Sequence, residues 1–251
     1  MYILWNNKKQ NFNLSPDQII TVFEKNDLQN TLPSYIISNN KNQNLNLSPE
    51  QIMTILKITN LNTKDTNSWT LSMRLLTFNK HQNLNLSPEQ IMSVIEKSDL
   101  TIQNNYGQTL PMVLLFEYKY QNLGLSTNQI MSIIEKSDLN IQDNNEDTLL
   151  TYLINHNKTK NFNLSSEQIM SVIEKTNISL LNDQTITTFF SNLGKQFEMS
   201  ESQLYKIANL LNKNIKKLNS ENQKKINQIL AYNKIYKNTY KKCKSKTIIK
   251  I

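Results

Sequence analysis

The 251-residue sequence predicts an all-α fold, an α-solenoid of stacked helix-loop-helix repeats with short turn or finger segments between them. Three observations carry this expectation. First, a thirteen-residue phrase, clearest as LSPEQIMSVIEKS from Leu86, recurs as LSPDQIITVFEKN from Leu14, LSPEQIMTILKIT from Leu47, LSTNQIMSIIEKS from Leu125 and LSSEQIMSVIEKT from Leu164. Second, a degenerate sixth copy, MSESQLYKIANLL, begins at Met199, so successive copies start 33, 39, 39, 39 and 35 residues apart, the signature of a repeat array. Third, three glycines, five prolines and 38% hydrophobic residues suit helices joined by polar turns.

The phrase reads as a helix with its own start signal. Ser87 is the N-cap and Pro88 the first helical residue, where the missing N–H costs nothing. Gln90 falls at the third helical position, so Ser87 and Gln90 form a reciprocal capping box, repeated as Ser15/Gln18, Ser48/Gln51, Ser126/Gln129, Ser165/Gln168 and Ser200/Gln203. Leu86 and Ile91 have the spacing of a hydrophobic staple. Ile91, Met92, Val94 and Ile95 make one apolar face, while Ser93 and Glu96 point outward and Lys97 sits in the last turn. Structural capping accounts for the phrase better than a recognition motif does.

Between phrases lies a more variable half-repeat, such as SDLTIQNNYGQTLPMVLLFEYK (98–119) and SDLNIQDNNEDTLLTYLINHNK (137–158). Its second part is apolar at helical spacing (Leu110, Val113, Leu114; Leu149, Tyr152, Leu153), and its first part is short and rich in Asn and Asp, as a tight turn requires. Each unit is therefore turn, helix, loop, helix. In the first unit only three steps separate Leu28 from Thr31, against nine from Leu100 to Thr109, which predicts two helices without a projecting finger or a hairpin at 28–31. Residues 2–8 align with 152–158, so the sequence opens inside a repeat. A short N-terminal cap and the remainder of a longer array both fit. The apolar Ile3, Leu4 and Trp5 favour the second, since a cap should be polar.

The boundaries drawn on this basis are an array over 1–195, a degenerate helical cap over 196–236 and a basic tail over 237–251. Leu204, Ile207, Ala208 and Leu211 mark one face of the cap, and Ile226, Ile229 and Leu230 another. From Lys195 onward there are 14 lysines against three acids, or +11, leaving 14 basic and 17 acidic residues, or −3, in the preceding repeats of a chain whose net charge is +8. Arg74 is the sole arginine, and abundant Asn, Lys and Ile are what an AT-rich coding sequence produces. One cysteine, Cys243, fits a reducing compartment and excludes an intramolecular disulfide framework. No apolar run approaches the ~18 residues of a membrane span, and MYILWNNKK is a poor secretion signal, so a cytoplasmic location is expected.

A D-x-N-x-x-D-N-x-x-x-T-L run between helices, with Asn104–Pro111 as its clearest stretch, resembles the ankyrin repeat. Gly107 and Thr109 stand at matching places, as do Asp143, Asn144, Asn145 and Thr148 in the fourth unit and Asp65, Asn67 and Thr70 in the second. The likeness covers roughly residues 2–195. The period of 39 exceeds that family's ~33, mainly in the loops 79–86 and 119–125. The family's paired small residues become Ile36-Ile37, Leu75-Leu76, Leu114-Leu115 and Leu153-Ile154, implying looser stacking. Ser68 and Glu146 replace Gly107 and must hold positive φ if the turn is kept.

The resemblance implies a non-enzymatic scaffold binding a protein partner on the concave face of turn tips and first helices. Carried over residue by residue, the partner-binding set is Trp69, Phe78, Asn105, Tyr106, Gln108, Phe116, Asn145 and His156. Aromatics are enriched at binding hot spots, though packing between units competes for each of these. The alternatives are nucleic-acid or anionic-surface binding through Lys216, Lys217, Lys224, Lys225, Lys241 and Lys242, and a truncated fragment without selected function. Arginine and interleaved aromatics, the usual companions of such a patch, are missing. His81 and His156 occupy different repeat positions, no Cys/His set has zinc spacing, and no Gly-rich phosphate loop occurs, so no cofactor, metal or catalytic residue is assigned. Recurrent Glu96, Glu135 and Glu174 read as solvated positions. A monomer is expected. The composition resembles repeat proteins of AT-rich intracellular bacteria, which extends the cytoplasmic expectation to delivery into a host cytosol.

Overall fold

In a computed structural model the described residues are 4, 6–9, 14–24, 32–193 and 198–231. The readings of residues 28–31, Ile3, Trp5, Lys241, Lys242 and Cys243 fall outside them. The elements are α1 (Pro16–Glu24), α2 (Leu32–Asn39), α3 (Pro49–Lys57), α4 (Leu71–Phe78), α5 (Pro88–Ile95), α6 (Leu110–Glu117), α7 (Thr127–Lys136), α8 (Leu149–His156), α9 (Ser166–Lys175), α10 (Asp183–Asn192) and α11 (Glu201–Asn212). Short 3₁₀ turns at Ile178–Leu180 and Ile215–Lys217 and a helical segment over 220–231 complete the described chain. The fold is all-helical, and its helices pack in series. α2, α4, α6, α8 and α10 stack as one layer, while the phrase helices pair along the other, α1 on α3 and α7 on α9.

Every phrase helix begins as its sequence dictates. Ser48, Ser87, Ser126, Ser165 and Ser200 are extended N-caps whose side chains accept from the third-position backbone N–H, while the glutamine returns the bond. Ser15 and Gln18 do the same at 2.8 and 3.2 Å. These reciprocal bonds satisfy donors that a helix start otherwise leaves open. In α5, Ile91, Val94 and Ile95 are buried and Met92 is half-buried, so the apolar face lies where its period put it. α6 is buried from Leu110 through Leu115, as expected of a helix flanked by neighbours on several sides.

The outward glutamates are exposed but tied to the next unit. Glu96 pairs with Lys136 at 3.7 Å, Glu135 with Lys175 at 3.8 Å, and Glu174 with Lys206. Their reading as purely solvated positions is corrected to that extent. Lys57 stands where four of the other phrases carry this glutamate (Glu24, Glu96, Glu135 and Glu174).

The loop between the two helices of a unit is a repeated device. Asn44, Asn83, Asn122 and Asn161 hold φ of 53°, 54°, 52° and 63°. Two residues on, Asn46, Asn85, Gly124 and Asn163 are again left-handed, a region that asparagine and glycine tolerate best. The residue between them, Leu45, Leu84, Leu123 or Phe162, is driven into the core. At the helix end, Asn40, Asn79 and Asn157 are buried, and each side-chain oxygen accepts the N–H seven residues on, at 2.9, 3.0 and 2.9 Å. Gln82 then reaches back so that its Oε1 accepts from Lys41 and Asn42 N–H, and Gln121 does the same for Lys80 and His81.

Candidate interaction surface

The fingers form before α4, α6 and α8. Each is closed by a single antiparallel bridge, Lys64 with Thr70, Gln103 with Thr109 and Gln142 with Thr148, and no longer strand forms among the described residues. Asp65, Asn104 and Asp143 anchor them: one side-chain oxygen accepts two backbone N–H groups, from the second and fourth residues on, at 2.8–3.0 Å. The turn then requires a left-handed residue, and Ser68, Gly107 and Glu146 hold φ of 61°, 75° and 65°. The remaining carboxylate oxygen finds a partner nine residues on. Arg74 donates to Asp65 Oδ2 at 2.6 Å, and Tyr152 donates to Asp143 Oδ2 at 2.8 Å. Where the anchor is the uncharged Asn104, the same position is the apolar Val113.

Adjacent fingers are bonded to one another. Asn144 N–H donates to Tyr106 O at 3.0 Å, Asn144 Nδ2 to Asn105 O at 3.0 Å, and Gln103 Nε2 to Gln142 O at 2.9 Å. Trp69 Nε1 donates to Asn105 Oδ1 at 3.0 Å. The Trp69 ring is half-buried against the core, meets Tyr106 edge-on at 6.3 Å and lies under the Arg74 guanidinium at 4.9 Å.

The eight carried-over residues thus separate into distinct places. Trp69, Tyr106, Gln108, Phe116 and Asn145 line one groove of about 290 Å³ with Val113, Glu117 and Asp143. Asn105 braces neighbouring fingers beside it. Phe116 and His156 line a second, larger groove at the loop end of the helices, sharing Glu117 with the first. Phe78 belongs to neither groove and packs half-buried against the core. Gln108 is held between Asn104 Nδ2 and the Tyr152 hydroxyl.

Electrostatics differ along this surface. Burial raises Glu117 above the usual carboxylate range, opposed by the hydrogen bond from Gln121 and the charges of His81 and Lys160. Burial and the nearby Asp143 raise Asp147. Burial, then Lys160, lowers His156 and favours the neutral imidazole. Sequence reasoning missed Tyr120, exposed beside Phe116, and Lys160, which is buried at a position where Gln82 and Gln121 stand in earlier loops. The position-by-position break in the 39-residue pattern was the available signal.

The proposed basic patch is only partly placed. Lys216, Lys217 and Lys224 are exposed, whereas Lys225 pairs with Glu221 at 2.8 Å and lies 6.0 Å from the Phe190 ring. Among the described residues no group of three or more His, Cys, Asp or Glu could hold a metal ion, and no helix is long and apolar enough to cross a membrane. No family model matches the chain, and no curated protein matches it.

Proposed function

We propose that the array is an ankyrin-like, non-enzymatic scaffold that binds a protein partner along its third unit and the flanking fingers. The observation that carries this reading is the distribution of exposed apolar surface. Of the four large hydrophobic side chains exposed among the described residues, Tyr106, Phe116 and Tyr120 belong to one unit and line two adjoining grooves; the fourth, Ile58, is elsewhere. Rigid helices and cross-bonded fingers hold these rings in place, which lowers the ordering cost of binding. Exposed aromatics grouped in this way are the composition of an interface centre. Supporting the ankyrin-like assignment are the finger closed by Thr70, Thr109 or Thr148 and the left-handed residue two positions earlier.

The test is affinity capture with the full chain and a Tyr106→Ala/Phe116→Ala variant. Both rings are about half exposed, at 57% and 45%, so truncation should leave helicity and unfolding behaviour near wild type. Partners captured by the wild type should be lost by the variant. Retention of every captured protein by a folded variant overturns the placement of the interface.

A further inference from the structure

Among the loops that the described residues cover in full, the scheme of asparagine followed by a back-reaching glutamine departs at two positions, which meet where the third unit packs on the fourth. Tyr118 stands in place of asparagine, and Lys160 in place of glutamine. Tyr118 turns its hydroxyl onto the Leu125 carbonyl and its ring edge onto Phe162 at 5.3 Å. The buried Lys160 ammonium donates to the Phe116 carbonyl at 2.9 Å and lies 3.5 Å from the centroid of the Tyr120 ring.

At this junction lies a groove of about 880 Å³, in the size range of sites that take a drug-sized ligand or a short peptide segment. Its cations are Lys80, Lys119 and Lys160, with His81 and His156 beside them, and Glu117 is the one acid in its lining. Lys80 and Lys119 are exposed, and neither makes an ion pair among the described residues. The walls are the exposed faces of Phe116 and Tyr120. In the same lining, Asn155 Oδ1 is the buried side-chain atom that lacks a hydrogen-bond partner among the described residues.

We propose that this groove docks an acidic peptide segment of a protein partner. The segment's carboxylates face Lys80 and Lys119, and an apolar side chain rests on Phe116 and Tyr120. The proposal rests on the scaffold reading above and adds the chemistry of the partner. Single-stranded nucleic acid also favours rings and lysines, but no arginine lines this groove to pair with phosphate.

The experiment sorts a random peptide library displayed on phage against the immobilised full chain, with labelled oligo(U) titrated in parallel. Enriched sequences should carry Asp or Glu next to an aromatic or aliphatic residue. Their affinity should fall as salt screens the exposed charges, and by roughly tenfold in a Lys80→Gln/Lys119→Gln variant, the size of one or two charged contacts. Lys160→Gln, which installs the residue of the preceding loops and so keeps a loop the fold already uses, should also weaken them. Enrichment of neutral or basic sequences, no enrichment, enrichment unchanged by the lysine variants, or oligo(U) binding that those variants abolish would each overturn the proposal. Partner capture lost by the Tyr106→Ala/Phe116→Ala variant but insensitive to the lysines overturns only this assignment and leaves the scaffold standing.

Discussion

At the scale of single residues, one turn position is filled by Ser68, Gly107 and Glu146, yet the three are not equivalent. Gly107 has φ of +75°, and a Cβ there would lie 2.6 Å from Asn144 Oδ1 and 2.7 Å from Asn144 N, against the next finger's backbone. Gly107→Ala should therefore cost about 1–3 kcal/mol, combining left-handed strain with overlap. Ser68→Gly relieves only strain and should be neutral or stabilising by under about 1 kcal/mol in denaturant titrations. Similar losses in both would show that the contact with Asn144 is irrelevant. A second residue-scale prediction concerns Tyr152, whose hydroxyl joins Gln108 and Asp143 and whose pKa is raised, first by burial and then by the hydrogen bond to and charge of Asp143. A phenol with a folded pKa above its unfolded value, near 10, contributes stability that is present below that pH and lost as pH rises through it. Burial raises Tyr35 and Tyr118 in the same direction, so all three shape the alkaline limb. Tyr152→Phe should lower stability at neutral pH by about 1–3 kcal/mol, because two partners are left unpaired. It should also lose less than the wild type between neutral pH and about pH 10.5; parallel stability curves for the two proteins would contradict this account.

At the scale of elements, the phrase helix is the most legible part of the sequence, because cap, staple and apolar face act within one or two turns. Ser87→Ala should cost about 0.5–2 kcal/mol, since it removes an acceptor from the Gln90 N–H and half of a reciprocal box; an unchanged unfolding midpoint would show that the box contributes nothing. The finger was legible too, because Gly107 and the Asn/Asp run announce a tight turn locally. The loop between helices shows in the sequence only as extra length. Its work is done by Asn79 and Gln121, forty-two residues apart, with the bonds of Gln121 running between units, and single-unit periodicity cannot show such pairing. The same limit explains the site. Phe116 and Tyr106 stood out as aromatics, but whether Trp69 or Phe78 faces a partner or the core depends on neighbouring units. Trp69 is braced by Asn105 and Arg74, and Phe78 packs inward. The ion pairs between successive phrase helices give one further test. Lys57 occupies the glutamate position facing the next unit's Lys97, by analogy with Glu96 and Lys136. Lys57→Glu should raise stability by under about 1 kcal/mol, as exposed pairs do, with the gain fading at high salt.

At the scale of the molecule, the described helices pack in series on their neighbours, so stability should be a sum of unit and junction terms. The junctions are unequal. Between α4, α6 and α8 the apolar packing is reinforced by bonded fingers and back-reaching side chains. Between α8–α9 and α10–α11, the space lined by Leu150, Ile154, Ile173, Phe189, Ile207 and Leu211 is apolar except for Thr185, and a 3₁₀ turn replaces the finger. That junction has no bonded finger; around its apolar centre it is joined by the Glu174–Lys206 ion pair and by single hydrogen bonds such as Asn192 Nδ2 to Ile154 O at 3.0 Å and Gln142 Nε2 to Leu180 O at 3.3 Å. Phe189 is buried there, its ring 5.4 Å from that of Phe190. Phe189→Ala should remove about 3–5 kcal/mol from that junction. The expected result in native-state hydrogen exchange is selective: amides of α10 and α11 lose protection, while those of α4, α6 and α8 retain most of theirs. A uniform loss of protection over all described helices would mean that the chain unfolds as one unit. The aromatic grooves sit on the reinforced part of the array, so the same variant should leave peptide enrichment intact, separating the weak joint from the surface that meets a partner.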